Sequence, residues 1–335
     1  MLPEKILLAH GNGGAYTQEL IKKLFLPRLD NPIIRELADG ACLDYKESLI
    51  FTTDSFVVKP IFFSGGDIGK LSVCGTVNDL VMMAAKPEYL SLALIIEEGF
   101  KLDYLKRIVD SISAAAKEAG VNFVTGDLKV VEKGSCDKVF INTSGIGRVV
   151  SRQKLHIKNL KTSDQIIMTG NIGTHGLAVL AARHDFDFVR RIKSDSAPLN
   201  GMLLPLVKEF PSIKFMRDPT RGGIATTLNE IAQGCDLGIL VDERKLPISS
   251  DTKTACELLG VDPLYLANEG AALLIVEKRS AGKVLKRLKE HKLGKNASLI
   301  GELVKSPRQK VVLSTCLGTQ RFIDMLSHDP LPRIC

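Results

Sequence analysis

The chain has no tryptophan, and aromatic residues make up only 5% of its 335 positions. Its core therefore has to be assembled from Leu, Ile, Val and Ala, a composition that with 28 glycines suits α/β architectures. No apolar run reaches membrane-spanning length, and the opening Met1-Leu2-Pro3-Glu4-Lys5 does not read as a signal peptide. Seven cysteines, at 42, 74, 136, 235, 256, 316 and 335, form no CxxC pair and no His/Cys cluster with zinc spacing. An odd, scattered set of this kind points to reduced thiols and a cytoplasmic protein. Blocks of like charge are absent too. A net charge of +7 is modest, and the densest basic region, 278–295, carries Val284, Leu285 and Leu288 at helical spacing, so it reads as a solvated helix face.

What is present is a repeated scheme of short apolar strand, glycine-rich loop and helix. It occurs first at residues 6–26, around His10-Gly11-Asn12-Gly13-Gly14, and again at 166–183, around Gly170-Asn171-Ile172-Gly173-Thr174-His175-Gly176. Further strands are expected at 49–53, 89–96, 121–125, 139–143, 237–241 and 272–276, with a polar, basic junction at 150–164. The reading is two α/β halves: an N-terminal domain over 1–150, a C-terminal domain over 151–326 and a tail over 327–335.

The loops suggest anion binding, because dense glycines let backbone N–H groups converge and the following helix presents its positive end. Acids stand nearby in the sequence. The strand at 49–53 runs into Asp54, a helix starting near Ile68 carries Asn78-Asp79, and the strand at 121–125 runs into Gly126-Asp127. Each Asp alone suits a cap or a turn, but three of them with a glycine loop suit a magnesium–triphosphate site. Ser64-Gly65-Gly66-Asp67-Ile68-Gly69-Lys70 imitates a P-loop and fails as one: it is a residue short between its glycines, and Leu71 replaces the magnesium-binding Ser or Thr.

The last feature is the terminus, Leu331-Pro332-Arg333-Ile334-Cys335. Pro330 and Pro332 forbid a helix and favour an extended tail, which ends on a thiol that could carry a group between sites.

In order, His-Gly-x-Gly-Gly, Thr-Thr-Asp-Ser, Cys-Gly-Thr-Val-Asn-Asp, Gly-Asp-x-Lys-Val-Val, Gly-x-x-Gly-x-His-Gly, Arg-Asp-x-Thr-Arg-Gly-Gly, Ala-Asn-Glu-Gly and the terminal Pro-Arg-Ile-Cys resemble the HypE family of hydrogenase maturation proteins. That family lies within the aminoimidazole-ribonucleotide synthetase-like ATP-binding superfamily. The resemblance spans nearly the whole chain, and the terminus makes it specific. It implies a two-domain α/β (α+β), PurM-like fold whose N-terminal domain pairs with its twin in a homodimer. It implies ATP-dependent dehydration of an S-carbamoyl group on Cys335 to a thiocyanate. HypF would load the carbamoyl group, and a HypC–HypD complex would accept the cyanide for the iron of NiFe-hydrogenase.

The resemblance also implies roles. Asp54, Asp79 and Asp127 would hold Mg²⁺, and these with Gly11, Asn12, Gly13, Gly14, His175 and Asp218 would bind ATP. Glu269 would be the general base, and Lys129 would stabilise developing negative charge. Leu128 and Thr174 depart from the family pattern, which has a small hydroxyl residue and an Asp at those places. The alternatives are another ATP-dependent synthetase or kinase of the superfamily, or a nucleotide-regulated scaffold.

Overall fold

The computed structural model describes residues 14–20, 22, 41–44, 48–151, 153–184, 191–326 and 331–335. Helix α1 (Ala15–Leu20) precedes the first sheet, which is built from β1 (Ala41–Asp44), β2 (Ser48–Phe56), β5 (Ala85–Glu97), β6 (Asn122–Val131) and β7 (Val139–Val149) in the order β1-β2-β7-β5-β6. A small hairpin, β3 (Phe62–Phe63) with β4 (Gly66–Asp67), leads into helix α2 (Ile68–Met82), and α3 (Leu102–Ala119) connects β5 to its parallel neighbour β6. The failed P-loop is thus a helix start: Asp67 caps α2, accepting from the Gly69 and Lys70 amides at 2.8 and 3.0 Å.

The second sheet collects β8 (Gln165–Met168), β9 (Ile213–Arg217), β10 (Gly238–Asp242), β11 (Leu273–Val276), β12 (Ser298–Val304), β13 (Val311–Ser314) and β14 (Gln320–Phe322) in the order β14-β13-β10-β12-β8-β11-β9. Around it run α4 (Thr174–His184), α5 (Asn200–Glu209), α6 (Gly223–Cys235), α7 (Ser250–Leu259) and α8 (Lys278–Lys289). β8 and β11 are buried along their whole length, as their runs of Ile, Leu, Val and Met require, with Gln165 at the start of β8 as the polar exception.

Helix α2 buries thirteen of its fifteen residues. It lies between the first sheet on one side and α3, α5 and β9 on the others, so no side of it meets much water. On α3, Leu102 and Val109 face solvent, and the buried face is Ile108, Ile112, Ala115, Ala116 and Ala119. Most consequential for function, β2 and β6 do not stop at their acids. Asp54 lies inside β2 and Asp127 inside β6, so strand alternation decides which way each points.

The register settles that direction. Asp54 pairs with Thr143 of β7, Thr143 with Leu92 of β5 and Leu92 with Gly126 of β6. That row faces α2, because Thr143 hydrogen-bonds Thr76 and the Ser72 carbonyl. Asp127 belongs to the next row, with Ala93, Asn142 and Ser55, and so points to the opposite, open face.

Candidate active site

The C-terminal tail docks into the seam between the two halves. The Val57 amide donates to the Cys335 carbonyl at 3.0 Å and the Lys59 amide to the Arg333 carbonyl at 3.1 Å, so the tail runs antiparallel beside the segment that follows β2. Leu331 and Ile334 are buried in the core cluster that both halves share. Arg183, at the end of α4, donates to the carbonyls of Lys59, Pro332 and Arg333 at 2.5–2.6 Å. Arg333 has a left-handed backbone (φ 56°), sparsely populated for a residue with a side chain. Its guanidinium bonds the Val57 carbonyl at 2.8 Å and the Asp137 carboxylate at 2.6 Å, and Lys59 shares Asp137 at 2.9 Å. Those two cations hold the Asp137 carboxyl down at about 2.

His175, expected among the ATP contacts, serves the tail instead. It is fully buried, with Nε2 2.9 Å from the Ile334 carbonyl and Nδ1 2.8 Å from the Ser194 hydroxyl. A carbonyl only accepts, so Nε2 carries the proton and Nδ1 accepts from Ser194, whose oxygen in turn accepts from the Ser196 amide. Burial pushes the imidazole pKa down, which keeps this neutral tautomer.

This docking brings the Cys335 side chain to Arg221, Glu269 and Asp54. Burial pushes its thiol up to about 12, against the pull of Arg221. The docked cysteine is thus a thiol and a poor nucleophile, as expected from a tail with no activating group of its own. Arg221 acts electrostatically on the Cys335 side chain and lies 3.3 Å from Asp54. Asp54 and Asp79 face the same space: Asp54 sits over Gly75 of α2, one turn before Asp79, and Thr52 donates to Asp79 at 2.9 Å. Burial raises the Asp54 pKa, which Arg221 partly offsets.

Glu269 is 2% exposed, and its Oε1 has no hydrogen-bond partner among the described residues. Burial raises its pKa well above the ordinary carboxylate value, and Asp218, Asp54 and Asp195 add to that. Its backbone is tightly fixed. Its amide donates to Asp195 at 3.1 Å, and its carbonyl accepts from Asn78 of α2 at 3.2 Å. Asn78 also bonds the Ala197 carbonyl and the Leu199 amide, tying the first half to the loop that holds Glu269. At Gly270 an added Cβ would overlap the Asp195 carbonyl oxygen, so only glycine lets the two loops meet.

Of the other expected residues, Asp218 is buried and acts electrostatically on Glu269. Gly14 is buried at the start of α1, whereas Gly11, Asn12 and Gly13 lie outside the described residues. Asp127 and Lys129 are not brought to this site. They pair with each other at 2.6 Å on the open face of the sheet, and Asp127 is three strand spacings, roughly 14 Å, from Asp54. Among the described residues no three His, Cys, Asp or Glu groups converge as a metal cage. Arg221, Asn78, Arg183, Asp195 and Asp137 were not anticipated. Asn78 and Arg221 stand in quoted motifs, but the other three have no local signal.

Asp54, Asp79 and Thr52 supply hard oxygen donors, and the first two share a single guanidinium, so the set fits a divalent cation that keeps several waters.

Two family models match the chain: AIR synthase related protein, N-terminal domain, over residues 37–149, and its C-terminal domain over residues 161–314. The carbamoyl dehydratase HypE of Cupriavidus necator is 44% identical over 333 residues, which is 99% of this chain and 95% of that protein. The carbamoyl dehydratase HypE of Escherichia coli is 41% identical over 336 residues, 98% and 99% of the two chains. Among solved structures, HypE in complex with ATP aligns with a TM-score of 0.84 at 45% identity, over 99% of this chain and 100% of that one. HypE from a HypE–HypF complex aligns at 0.87 and 50%, over 92% and 99%. Thiamine monophosphate kinase of Aquifex aeolicus, at 17% identity, TM-score 0.66 and coverage of 91% and 98%, shares the fold alone.

The docking geometry makes a testable claim. An ion pair as exposed as Arg333–Asp137 contributes about 1 kcal/mol. Asp137→Asn is therefore expected to speed hydrogen exchange at the Val57 and Lys59 amides roughly five-fold. Unchanged exchange at both amides in the variant would contradict this.

Proposed function

The chain belongs to the HypE family of AIR-synthase-related proteins, and from that premise we propose that it dehydrates its own modified C-terminus. The substrate is an S-carbamoyl group on Cys335, and the product is a thiocyanate on the same sulfur, with ATP converted to ADP and phosphate. The cyano group supplies the cyanide ligand for the iron of NiFe-hydrogenase during maturation. One observation carries the reading: the Cys335 side chain lies beside a guanidinium and a buried carboxylate, one oxygen of which has no hydrogen-bond partner among the described residues.

An amide oxygen is a poor leaving group, and ATP makes it a good one. The carbamoyl oxygen attacks the terminal phosphorus as ADP leaves. The C–O bond then breaks, phosphate departs and the carbon–nitrogen triple bond forms. The nitrogen gives up two protons along the way. Glu269 accepts the first, and the departing phosphate can take the second. Burial raises the basicity of Glu269, which suits a carboxylate to an otherwise reluctant amide proton. Asp54 and Asp79, with Thr52, would hold Mg²⁺, which when bound offsets the phosphate charge. Asp218 and the glycine loop at 11–14 complete the ATP contacts. His175, Arg183 and the 57–59 segment position the tail.

Loading and delivery need the tail outside. A thiol pushed up to about 12 cannot take a carbamoyl group while docked, so HypF is proposed to act on the released tail. The solved HypE–HypF complex of a relative supports that partner. A HypC–HypD complex is the proposed acceptor of the cyanide.

The open face of the first sheet supports a homodimer. Phe51, Tyr89, Ile95 and Ile146 are each 40–47% exposed there, and β6 is an unpaired edge among the described residues. Such a face requires a cover. A second copy of the chain, pairing sheet against sheet, provides it. Asp127 and Lys129 lie on that face, so they are assigned to the partner protomer's site, where Asp127 joins the metal ligands and Lys129 meets the developing charge.

Two experiments test these assignments. Incubation with HypF, carbamoyl phosphate and ATP should add a carbamoyl mass to the C-terminal peptide and then remove one water. No adduct on that peptide would sink the reading. Because Glu269 acts ionised and its pKa is raised, dehydration should fall as pH drops through a value above the ordinary carboxylate range, and Glu269→Gln should abolish turnover about 10²–10⁴-fold. For the dimer, mixing Lys129→Ala and Glu269→Gln proteins should restore activity that neither has alone, since one site in the mixed dimer escapes both changes. Absence of complementation after confirmed subunit exchange would place Lys129 elsewhere.

A further inference from the structure

We infer that Arg221 is a catalytic residue of the dehydration, donating to the carbamoyl oxygen and then to the phosphate that forms on it. This rests on the dehydratase reading above and names a group that reading leaves without a role. Two observations carry it. Arg221 lies 3.3 Å from Asp54, on the strand that runs on into the Val57 amide holding the Cys335 carbonyl, and its guanidinium and the Cys335 side chain act on each other's charge. The acids that also act on that side chain, Glu269 and Asp54, carry the opposite sign.

The backbone around Arg221 is built to hold it still. Gly222 and Gly223 both take left-handed φ values, 62° and 60°. An added Cβ at Gly223 would overlap the Leu264 carbonyl oxygen, so this turn presses against the 264–266 segment that leads into Asn268-Glu269. Acid and cation are thereby fixed on neighbouring turns that both act on the thiol. Arg221 also pairs with Asp54 at 3.3 Å and feels Asp79, while its side chain stays 42% exposed. It can therefore reach both the carbamoyl oxygen and a phosphoryl group held near those acids. Its planar fork suits phosphate oxygens better than an ammonium does.

In the reaction Arg221 gains and loses no proton. As the carbamoyl oxygen attacks phosphorus, charge spreads over the transferring phosphoryl oxygens, and the N–H groups of Arg221 donate to them. When the C–O bond breaks, the electron pair leaves with phosphate, and Arg221 stabilises that anion while Glu269 holds the nitrogen's proton. Removing one such donor typically slows a reaction on the order of 10²–10³-fold.

The test is single-turnover conversion of the full-length protein, carbamoylated by HypF, followed by mass spectrometry of the C-terminal peptide. Arg221→Ala should accept the carbamoyl group at the normal rate and lose water on the order of 10²–10³-fold more slowly. Added guanidinium chloride should restore part of the rate, and ammonium chloride should not. Arg221→Lys, which keeps the charge for a chain that needs it to fold, should remain at least tenfold slow. If the unaltered protein never loses water, the dehydratase reading itself fails. If it does and either Arg221 variant keeps pace with it, only the role of Arg221 is overturned. Slow dehydration without guanidinium rescue, together with faster exchange at the Val57 and Lys59 amides, would show that Arg221 merely supports the docked tail, and would also overturn it.

Discussion

Everything in this molecule depends on a five-residue tail that is bound but not committed. Ordering five residues costs about 5–10 kcal/mol of backbone entropy. Burying Leu331 and Ile334 returns roughly 3–6 kcal/mol. Six hydrogen bonds from Val57, Lys59, His175, Arg183 and Arg333 contribute about 3–9 kcal/mol in all. Gain and cost match to within a few kcal/mol. A tail balanced in this way can dock for chemistry and leave for loading, and small changes in charge or covalent state shift it. The apolar pair supplies the affinity, while the hydrogen bonds fix the register that aims Cys335.

The charge pattern around the docked cysteine explains why the site is kept for a nucleotide. Asp54 and Asp79 act on the Arg221 guanidinium, and Asp54, Asp195 and Asp218 act on Glu269. Such an excess of carboxylate is tolerable when some groups readily take up a proton and others meet a divalent ion. The raised pKa makes Glu269 one of the first kind, as a general base requires, and Asp54 and Asp79 are suited to the second. The environment thus sorts chemically similar acids into a base and a pair of metal ligands. It does so through burial and through the neighbour each acid faces, Arg221 for Asp54 and other anions for Glu269.

Much of the fold was legible in the sequence, and what was not has one physical cause. Glycine loops, the two α/β halves and the terminal thiol are carried by local patterns, whereas the role given to Glu269 came from the family resemblance. What those patterns lack is register. Asp54 and Asp127 look alike in sequence, each after an apolar run, yet both lie inside strands that continue, and alternation sends them to opposite faces. His175 reads as part of a nucleotide loop because its partner, the Ile334 carbonyl, lies 159 residues away. Asp137 and Arg183 sit in ordinary sequence and gain meaning only once the tail lies between them. Arg221 was in plain view within Arg-Asp-x-Thr-Arg-Gly-Gly, but only the docked Cys335 separates it from Arg217, which pairs with Glu230.

The central claim is that the terminal cysteine is a covalent substrate brought to a fixed acid and a fixed cation. A crystal structure of the S-carbamoylated protein with magnesium and a non-hydrolysable ATP analogue tests it most directly. The carbamoyl oxygen should face the terminal phosphate beside Arg221, and its nitrogen should face Glu269. A tail ordered elsewhere on the surface, with the nucleotide bound and the carbamoyl group in solvent, would contradict the account.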